Sequence, residues 1–242
     1  MKAYGLTHCG MVRKENQDSF EILELSDKAL ICVVCDGMGG ANAGALAGSL
    51  ACNTFVQYLK VHLKSASQMK KLMLKAVEEA NRAVYEKAAT DPSYRGMGTT
   101  LTAIGIWDKD VCVVNVGDSR VYAVGEAGIE CLTVDHSVVE LMVQRGEITS
   151  EQAKHYPGKN MITRAVGTDA SVQSDVFTRQ HTQGDAYVLC SDGLSNQLAD
   201  QELLFEVAHG TSYEDCGERL LQIALSRGAP DNVTMILAYD ET

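Results

Sequence analysis

Residues 29–40 read Ala29-Leu30-Ile31-Cys32-Val33-Val34-Cys35-Asp36-Gly37-Met38-Gly39-Gly40. The first seven are apolar and rich in β-branched side chains, and the run is too short for a helix, so it predicts a buried β-strand. The strand ends in an Asp-Gly pair and two further glycines, which predict a turn at the rim of a sheet. Asp36 therefore stands where small neighbours leave room for a ligand to approach the backbone.

Three more aspartates, far apart in the sequence, follow the same pattern of an apolar run that meets a turn. They lie in Val116-Gly117-Asp118-Ser119, Leu189-Cys190-Ser191-Asp192-Gly193 and Pro230-Asp231-Asn232. Four such carboxylates without a cluster of histidines or cysteines favour a hard divalent cation, Mg²⁺ or Mn²⁺, over zinc. The residues alone leave a second interpretation open, because Asp-Gly is foremost a turn signal and carboxylates are common at sheet rims.

A polar segment near the N-terminus, Arg13-Lys14-Glu15-Asn16-Gln17-Asp18, adds a cation and a further carboxylate. The forked guanidinium of Arg13 matches the oxygens of a phosphate group. One aspartate can bridge two divalent ions, and such a pair can generate hydroxide and orient a phosphoryl group. If the aspartates bind metal, hydrolysis of a phosphate ester is the reaction that this set of residues favours.

The composition argues against several classes of protein. The formal net charge is −11 and there is no basic run, so nucleic acid is not an expected partner. No segment is apolar for long enough to span a membrane, and no signal peptide is recognised, so we expect a cytoplasmic protein. The eight cysteines lie mostly in apolar runs, which favours free buried thiols over disulfides. Cys32 and Cys35 should point to opposite faces of their strand, so they cannot easily share an ion.

The order of the elements predicts the architecture. Strands are expected at residues 3–7, 29–35, 99–107, 111–116, 120–124, 129–133, 172–178, 186–190 and 233–239. Helices are expected at residues 41–63, 69–89, 138–145, 200–209 and 213–226, with a short helix that starts at Glu151 and is capped by Ser150. Strands mostly follow strands and helices come in pairs, which indicates antiparallel sheets covered by helices. We expect one domain over residues 1–242, with a helical subdomain at about residues 136–167.

Eight segments, in this order and over nearly the whole chain, resemble the motifs of the type 2C protein phosphatases, the metal-dependent PPM family. They are Arg13-Lys14-Glu15-Asn16-Gln17-Asp18, Val34-Cys35-Asp36-Gly37-Met38-Gly39-Gly40, Gly98-Thr99-Thr100, Val116-Gly117-Asp118-Ser119-Arg120, Leu132-Thr133-Val134-Asp135-His136-Ser137, Thr163-Arg164-Ala165-Val166-Gly167, Ser191-Asp192-Gly193-Leu194 and Asp231-Asn232-Val233-Thr234. The compact length and Gly37-Met38-Gly39 resemble the bacterial members, which are paired with Ser/Thr kinases.

The resemblance implies an α+β fold in which an antiparallel β-sandwich is flanked by helix pairs (α-β-β-α), with a small helical flap subdomain. It implies Mn(II) or Mg(II) at one end of the sandwich, as two core ions and a third. Asp36 would bridge the core ions, and the backbone carbonyl of Gly37 would bind one of them. Asp192 and Asp231 would complete the shell of the first ion, and Asp118, with Asp192, would hold the third.

The resemblance also implies a protein serine/threonine phosphatase in which a metal-bridging hydroxide attacks phosphorus directly, without a phospho-enzyme. Arg13, Asp36 and Asp192 would be the catalytic residues, and Asp18 would act in the metal site by orienting metal-bound water. Arg13 would grip the substrate phosphate, and Asn232 is assigned to substrate binding with it. The expected partners are phosphorylated proteins, including a bacterial Ser/Thr kinase that the enzyme opposes, and the expected state is a monomer.

Two other functions stay open beside this one. A regulatory module of the same fold would bind partners without hydrolysing phosphate, although such proteins usually lose metal aspartates and all four are present here. A phosphatase of small molecules or nucleotides would share the metal chemistry. Turnover of phosphopeptide, phosphotyrosine and nucleotide substrates would separate these possibilities.

The chain departs from the family pattern in three places. Met38 stands where animal relatives carry a histidine proposed as general acid, and a thioether cannot donate a proton. His136 is a candidate substitute, with a capping or packing role as the alternative. Gln17 stands where many relatives have glutamate, so the second ion should be held more weakly. The flap, at residues 146–164, should pack beside the cleft, with Tyr156-Pro157 where relatives often have His-Pro.

Overall fold

The computed structural model describes residues 1–40 and 43–240 and contains two antiparallel sheets with helices outside them. The strands are β1 Lys2–His8, β2 Asp18–Ser26, β3 Ala29–Met38, β4 Gly98–Thr99, β5 Leu101–Trp107, β6 Asp110–Val116, β7 Arg120–Gly125, β8 Gly128–Cys131, β9 Asp175–Gln180, β10 Ala186–Cys190 and β11 Val233–Tyr239. The α-helices are α1 Ala43–His62, α2 Met69–Ala88, α3 Val138–Gln144, α4 Ser150–Lys154, α5 Asp192–Ser195, α6 Asp200–His209 and α7 Tyr213–Ser226. One sheet has the strand order β1-β11-β10-β7-β8, and the other has β2-β3-β5-β6-β9, with β4 paired to β3.

Three apolar layers hold the sandwich together, and strand β3 contributes to two of them. Its residues Cys32 and Val34 lie in the core between the sheets. The alternate residues Val33 and Cys35 lie in the core between their sheet and helices α1 and α2. A strand that is buried on both faces must be apolar throughout, which explains the unbroken run in the sequence. A third core packs the other sheet against α5, α6 and α7, so the predicted α-β-β-α arrangement is confirmed.

Strand β2 was not among the predicted strands, and it is essential to the site. Two acidic residues interrupt its apolar pattern, but Phe20 packs into the core between the sheets and Leu23 packs against the helix-side core. β2 pairs with β3 in a register that places Asp18 opposite Asp36. Hairpin pairing with the adjacent strand β3 and packing into both cores, rather than intrinsic propensity, stabilise this strand.

Other boundaries differ from the predictions by a few residues. The predicted start of helix α1 at residues 41–42 lies outside the described residues. The cap of α4 is Thr149, which forms a capping box with Gln152, and Ser150 is the first helical residue, so the predicted cap was wrong by one position. Strand β9 begins at Asp175 rather than at residue 172.

The flap subdomain lies between strands β8 and β9 and carries helices α3 and α4. Neither helix contains a buried residue, so the subdomain has little core of its own. It is fixed at its base by isolated bridges between Ser137 and Ile162 and between Thr99 and Val166.

All eight cysteines are free thiols, as predicted. Within residues 1–40 and 43–240, none of the helices combines the length and hydrophobicity that a bilayer crossing requires.

Candidate metal centre and phosphate cleft

A cleft of about 240 Å³ opens at the end of the sandwich where strands β3, β6 and β10 terminate and strand β11 begins. The residues that line it are Arg13, Gln17, Asp36, Gly37, Met38, Gly39, Thr100, Asp118, Asn160, Ile162, Asp192, Asp231 and Asn232. The four aspartates that the sequence singled out therefore meet in one place. Asp18 lies directly behind them, opposite Asp36 in the sheet.

Thr100 sets the position of Asp36 relative to Asp118. The backbone N–H of Asp36 donates to the Thr100 hydroxyl at 2.8 Å, and the backbone N–H of Thr100 donates to the Asp36 carbonyl at 2.9 Å. The Thr100 hydroxyl also contacts the hydroxyl of Ser119 at 2.9 Å, next to Asp118. The Gly98-Thr99-Thr100 motif thus joins two carboxylate-bearing segments, a role that the sequence did not reveal.

Two carboxylate oxygens are buried without a hydrogen-bond donor. Asp18 accepts a hydrogen bond from the Ser191 hydroxyl at 2.7 Å through Oδ2, and Asp192 accepts one from Asn196 at 3.0 Å through its own Oδ2. The Oδ1 atom of each residue has no donor among the described residues. Buried acceptors without a donor are costly, and a cation satisfies them. This is the main structural sign that a metal ion fits here.

A close approach of two loops brings Asp192 and Asp231 together. A Cβ at position 193 would overlap the backbone carbonyl of Asn232, so only glycine lets the start of α5 lie against the segment that precedes β11. Asp231 forms an ion pair with Arg13, whose Nη2 lies 2.8 Å from Oδ2. The side chain of Arg13 is 55% exposed at the rim of the cleft, which leaves most of its five N–H donors open to a phosphate group.

Asn232, for which a substrate contact was predicted, lines the cleft and also has a scaffolding role. Its Nδ2 donates to the backbone carbonyls of Cys9 and Glu15, both at 2.9 Å. Its Oδ1 accepts from the backbone N–H of Gln17 at 2.8 Å. Both amide hydrogens are therefore used to shape the turn that carries Arg13, and neither is available to a substrate.

Burial and mutual repulsion shape the electrostatics of the cleft. Burial raises the pKa of Asp118 to about 7, and the neighbouring charge of Asp192 adds to the effect. Burial raises the pKa of Asp36 well above its ordinary range, and Asp18 and Asp192 raise it further. The pKa of Asp18 and that of Asp192 both rise to about 6, again mainly through burial. A site that disfavours ionised carboxylates so strongly is one that a divalent cation would stabilise.

The carboxylates converge without standing at ligation distance. Within the described part of the chain, no three His, Cys, Asp or Glu side chains form a preassembled metal site. Repulsion between the carboxylates and the contact of Asp231 with Arg13 are consistent with this spacing. The donor set still fits a hard cation, because it consists of carboxylate and carbonyl oxygens and includes two buried oxygens that lack donors.

Met38 and Gln17 line the cleft, and the flap contributes Asn160 and Ile162, which sequence reasoning did not single out. His136 does not line it: the residue is 5% exposed and both ring nitrogens contact protein groups. His136 is therefore not placed to donate a proton into the cleft, and its contacts favour the alternative of a structural role.

The raised pKa values predict that, in the presence of a chelator, deprotonation of the cleft carboxyl groups destabilises the folded protein. Between about pH 4 and pH 7, the folded protein retains protons on these carboxyl groups that the unfolded chain has released, so stability falls as the pH rises. Asp118→Asn removes one repelling charge, and in EDTA near pH 7 it should raise Tm by about 2–4 °C, as about 1 kcal/mol does in a chain of this size. Differential scanning fluorimetry tests this. A lower Tm for the variant than for the wild type would contradict this prediction. So would a Tm difference between the two proteins that does not become smaller near pH 4.

Comparison with known proteins agrees with this geometry. A family model described as Protein phosphatase 2C matches residues 9–237. The serine/threonine phosphatase stp of Listeria innocua is 33% identical over 239 residues, which cover 98% of this chain and 95% of that protein. Serine/threonine phosphatase Stp1 from Staphylococcus aureus has a crystal structure that matches with a TM-score of 0.94 and 34% identity, over 100% of this chain and 95% of that one.

A further solved structure is informative about metal. The catalytic domain of serine threonine protein phosphatase PstP, in complex with two manganese ions, matches with a TM-score of 0.85 and 30% identity, over 98% of this chain and 96% of that one. The family match covers nearly the whole chain, and the solved structures share its fold from end to end. The chain therefore belongs to the protein phosphatase 2C family, and within it to the bacterial Ser/Thr phosphatases.

Proposed function

We propose that this chain is a Mn(II)- or Mg(II)-dependent phosphatase that hydrolyses phosphoserine and phosphothreonine in proteins. The observation that carries the proposal is the convergence of four aspartates on one cleft, with two buried carboxylate oxygens that lack donors. Arg13 at the rim supplies a cation for the phosphate group. The names of the relatives as Ser/Thr phosphatases support the choice of substrate.

We assign the metal-binding roles as the family resemblance implies. Asp36 and the carbonyl of Gly37 would hold the core ions together with Asp192 and Asp231, and Asp118 would hold a third ion with Asp192. When bound, the ions would supply Lewis acidity that lowers the pKa of a water and neutralises charge on the phosphoryl oxygens. The PstP complex with two manganese ions supports the core pair. Support for a third ion is the position of Asp118 in the same cleft.

The chain's own residues orient the reactants around that centre. Ser191 holds Asp18 through Oδ2, and Oδ1 would be left to orient a water at the metal centre. Arg13 can move its guanidinium between Asp231 and a phosphate, because it is tied down at only one nitrogen. Met38 lines the cleft but cannot protonate a leaving group, so we propose that solvent water supplies that proton.

We further propose that the substrates include a bacterial Ser/Thr kinase which this phosphatase opposes, as the resemblance to bacterial members implies. A cytoplasmic monomer is the corresponding expectation for location and assembly. Incubation of the phosphorylated kinase domain with the purified protein, followed by mass spectrometry, tests the kinase proposal. Retention of all phosphosites at full activity toward a phosphothreonine peptide would refute it.

Neutralising a metal-binding carboxylate should abolish activity. Asp36→Asn and Asp192→Asn each remove a charge that the cations require, and we expect turnover of a phosphothreonine peptide with Mn²⁺ to fall by at least about 100-fold. Asp108→Asn is the matched control, because Asp108 is 63% exposed in a surface pair with Lys28. Near-normal turnover by either cleft variant would disprove its role.

Removing the rim cation should weaken substrate binding. Arg13→Ala should raise KM for the phosphopeptide by about tenfold or more, since a charge-assisted hydrogen bond contributes about 1.5–3 kcal/mol. Steady-state kinetics separate kcat from KM, and Arg82→Ala, on the exposed side of α2, serves as the control. A fall in kcat at constant KM would instead place Arg13 in the transition state.

A further inference from the structure

His136 is hydrogen-bonded on every side at the junction between the cleft and the flap. The backbone N–H of Gly117 donates to its Nδ1 at 3.1 Å, and its own backbone N–H donates to the Gly117 carbonyl at 2.9 Å. On the other side of the ring, Nε2 lies 3.2 Å from Oδ2 of Asp175. The same carboxylate accepts from Nη1 of Arg164 at 2.7 Å.

His136 is hydrogen-bonded to the loop that carries Asp118. Gly117 has a φ of +108°, which side-chain-bearing residues rarely adopt and glycine adopts freely, so the turn before Asp118 depends on this glycine. Three hydrogen bonds hold this turn: the Gly117 N–H donates to Nδ1 of His136, and the Gly117 carbonyl accepts from the His136 N–H and, at 3.2 Å, from Nδ2 of Asn115.

The other contacts of His136 reach the flap. Its backbone carbonyl accepts from the N–H of Thr163 at 2.7 Å, and the next residue, Ser137, forms the isolated bridge with Ile162. Ile162 lines the cleft. His136 thus connects the loop that carries Asp118 with the flap segment that lines the cleft.

A donor faces each nitrogen of the ring: the Gly117 amide at Nδ1 and Nη1 of Arg164 at Nε2, both at 3.1 Å. A neutral ring accepts at one nitrogen only, and Arg164 already donates to Asp175 at the shorter distance of 2.7 Å, so we assign the acceptor to Nδ1 and the ring proton to Nε2. The Nε2–H then donates to Asp175, which accepts from Arg164 with its other oxygen. The two ring nitrogens therefore contact different parts of the protein: Nδ1 is hydrogen-bonded to the Asp118 loop, and Nε2 to Asp175 at the base of the flap.

We propose that His136 is a positioning residue that couples the flap to the Asp118 loop, with Nδ1 fixing the loop and Nε2, through Asp175 and Arg164, fixing the flap. Of the expected effects of this coupling, only those on Mn²⁺ binding and on KM rest on the proposed phosphatase function. The structural coupling can be measured without metal or substrate, so its failure and the failure of that function are distinguishable.

Two substitutions of His136 test the roles of its two ring nitrogens separately. His136→Asn keeps an acceptor near the position of Nδ1 but is too short to reach Asp175. His136→Gln keeps a donor near the position of Nε2 but has no acceptor for Gly117. His155→Asn is the control, because His155 is an 82% exposed histidine in the same flap. Asp175→Asn weakens the contacts of Nε2 and of Arg164 while His136 itself is retained, and it replaces His136→Asn if that variant fails to fold.

The first measurements use protein in chelator. Loss of one buried hydrogen bond should change a local opening equilibrium by about tenfold. His136→Gln should speed hydrogen exchange at the Gly117 amide by about that factor and leave the rate of flap proteolysis unchanged. His136→Asn and Asp175→Asn should speed flap proteolysis by about that factor and leave hydrogen exchange at the Gly117 amide unchanged. In the wild type, ¹⁵N shifts of the ring should show the proton on Nε2.

The second measurements use Mn²⁺ and a phosphothreonine peptide. His136→Gln should raise the dissociation constant for Mn²⁺ in calorimetry by about tenfold with little change in KM, whereas His136→Asn should raise KM by about tenfold with little change in Mn²⁺ affinity. Opposite patterns in the two variants support the proposal. Equal effects of both variants on loop and flap, no effect of either, or a ring proton on Nδ1 would overturn it.

Discussion

Repulsion among five carboxylates at one end of the sandwich is the constraint on which the rest of this structure depends. Asp18 and Asp192 are at least nine-tenths buried, and Asp36 and Asp118 have raised pKa values because burial and neighbouring charges disfavour their ionised forms. Such a cluster does not stabilise the fold. The cluster persists because the strand ends and short loops fix the positions of the aspartates. Carboxylates that are held close together attract a cation, which is how the cluster can serve as a metal site.

The scaffold that imposes this arrangement is polar and buried. Thr100 links the segments of Asp36 and Asp118, and Ser191 and Asn196 each hold one carboxylate by a single oxygen. Asn232 uses its whole amide to shape the turn of Arg13. Satisfied buried networks of this kind are rigid, so the oxygens left without donors are held where a metal ion can use them.

The sequence was informative where the signal was local. The apolar run that ends in Asp36 was long enough to show a buried strand. The glycine, serine and asparagine residues beside the four aspartates indicated turns next to apolar runs, and the four aspartates do meet in one cleft. The α-β-β-α arrangement, by contrast, was implied by resemblance to a family and not by periodicity.

The features that the sequence did not reveal depend on contacts between distant residues. Strand β2 has a mixed pattern, and its apolar residues pack into two cores that are built largely from later parts of the chain. Asn232 and His136 look like ordinary turn residues, and only their partners, 215 and 19 positions away, show that they organise the site. No local pattern specifies such partners, which is why a substrate contact was predicted for Asn232 and a proton-donor role was considered for His136.

Anomalous diffraction from a crystal soaked in Mn²⁺ tests the central claim most directly, because it locates the ions independently of any assay. The account predicts at least two manganese peaks in the cleft, with Asp36 contacting both core ions and Asp192 and Asp231 contacting one of them. An empty cleft at saturating Mn²⁺, or peaks that Asp36 and Asp192 do not contact, would contradict it.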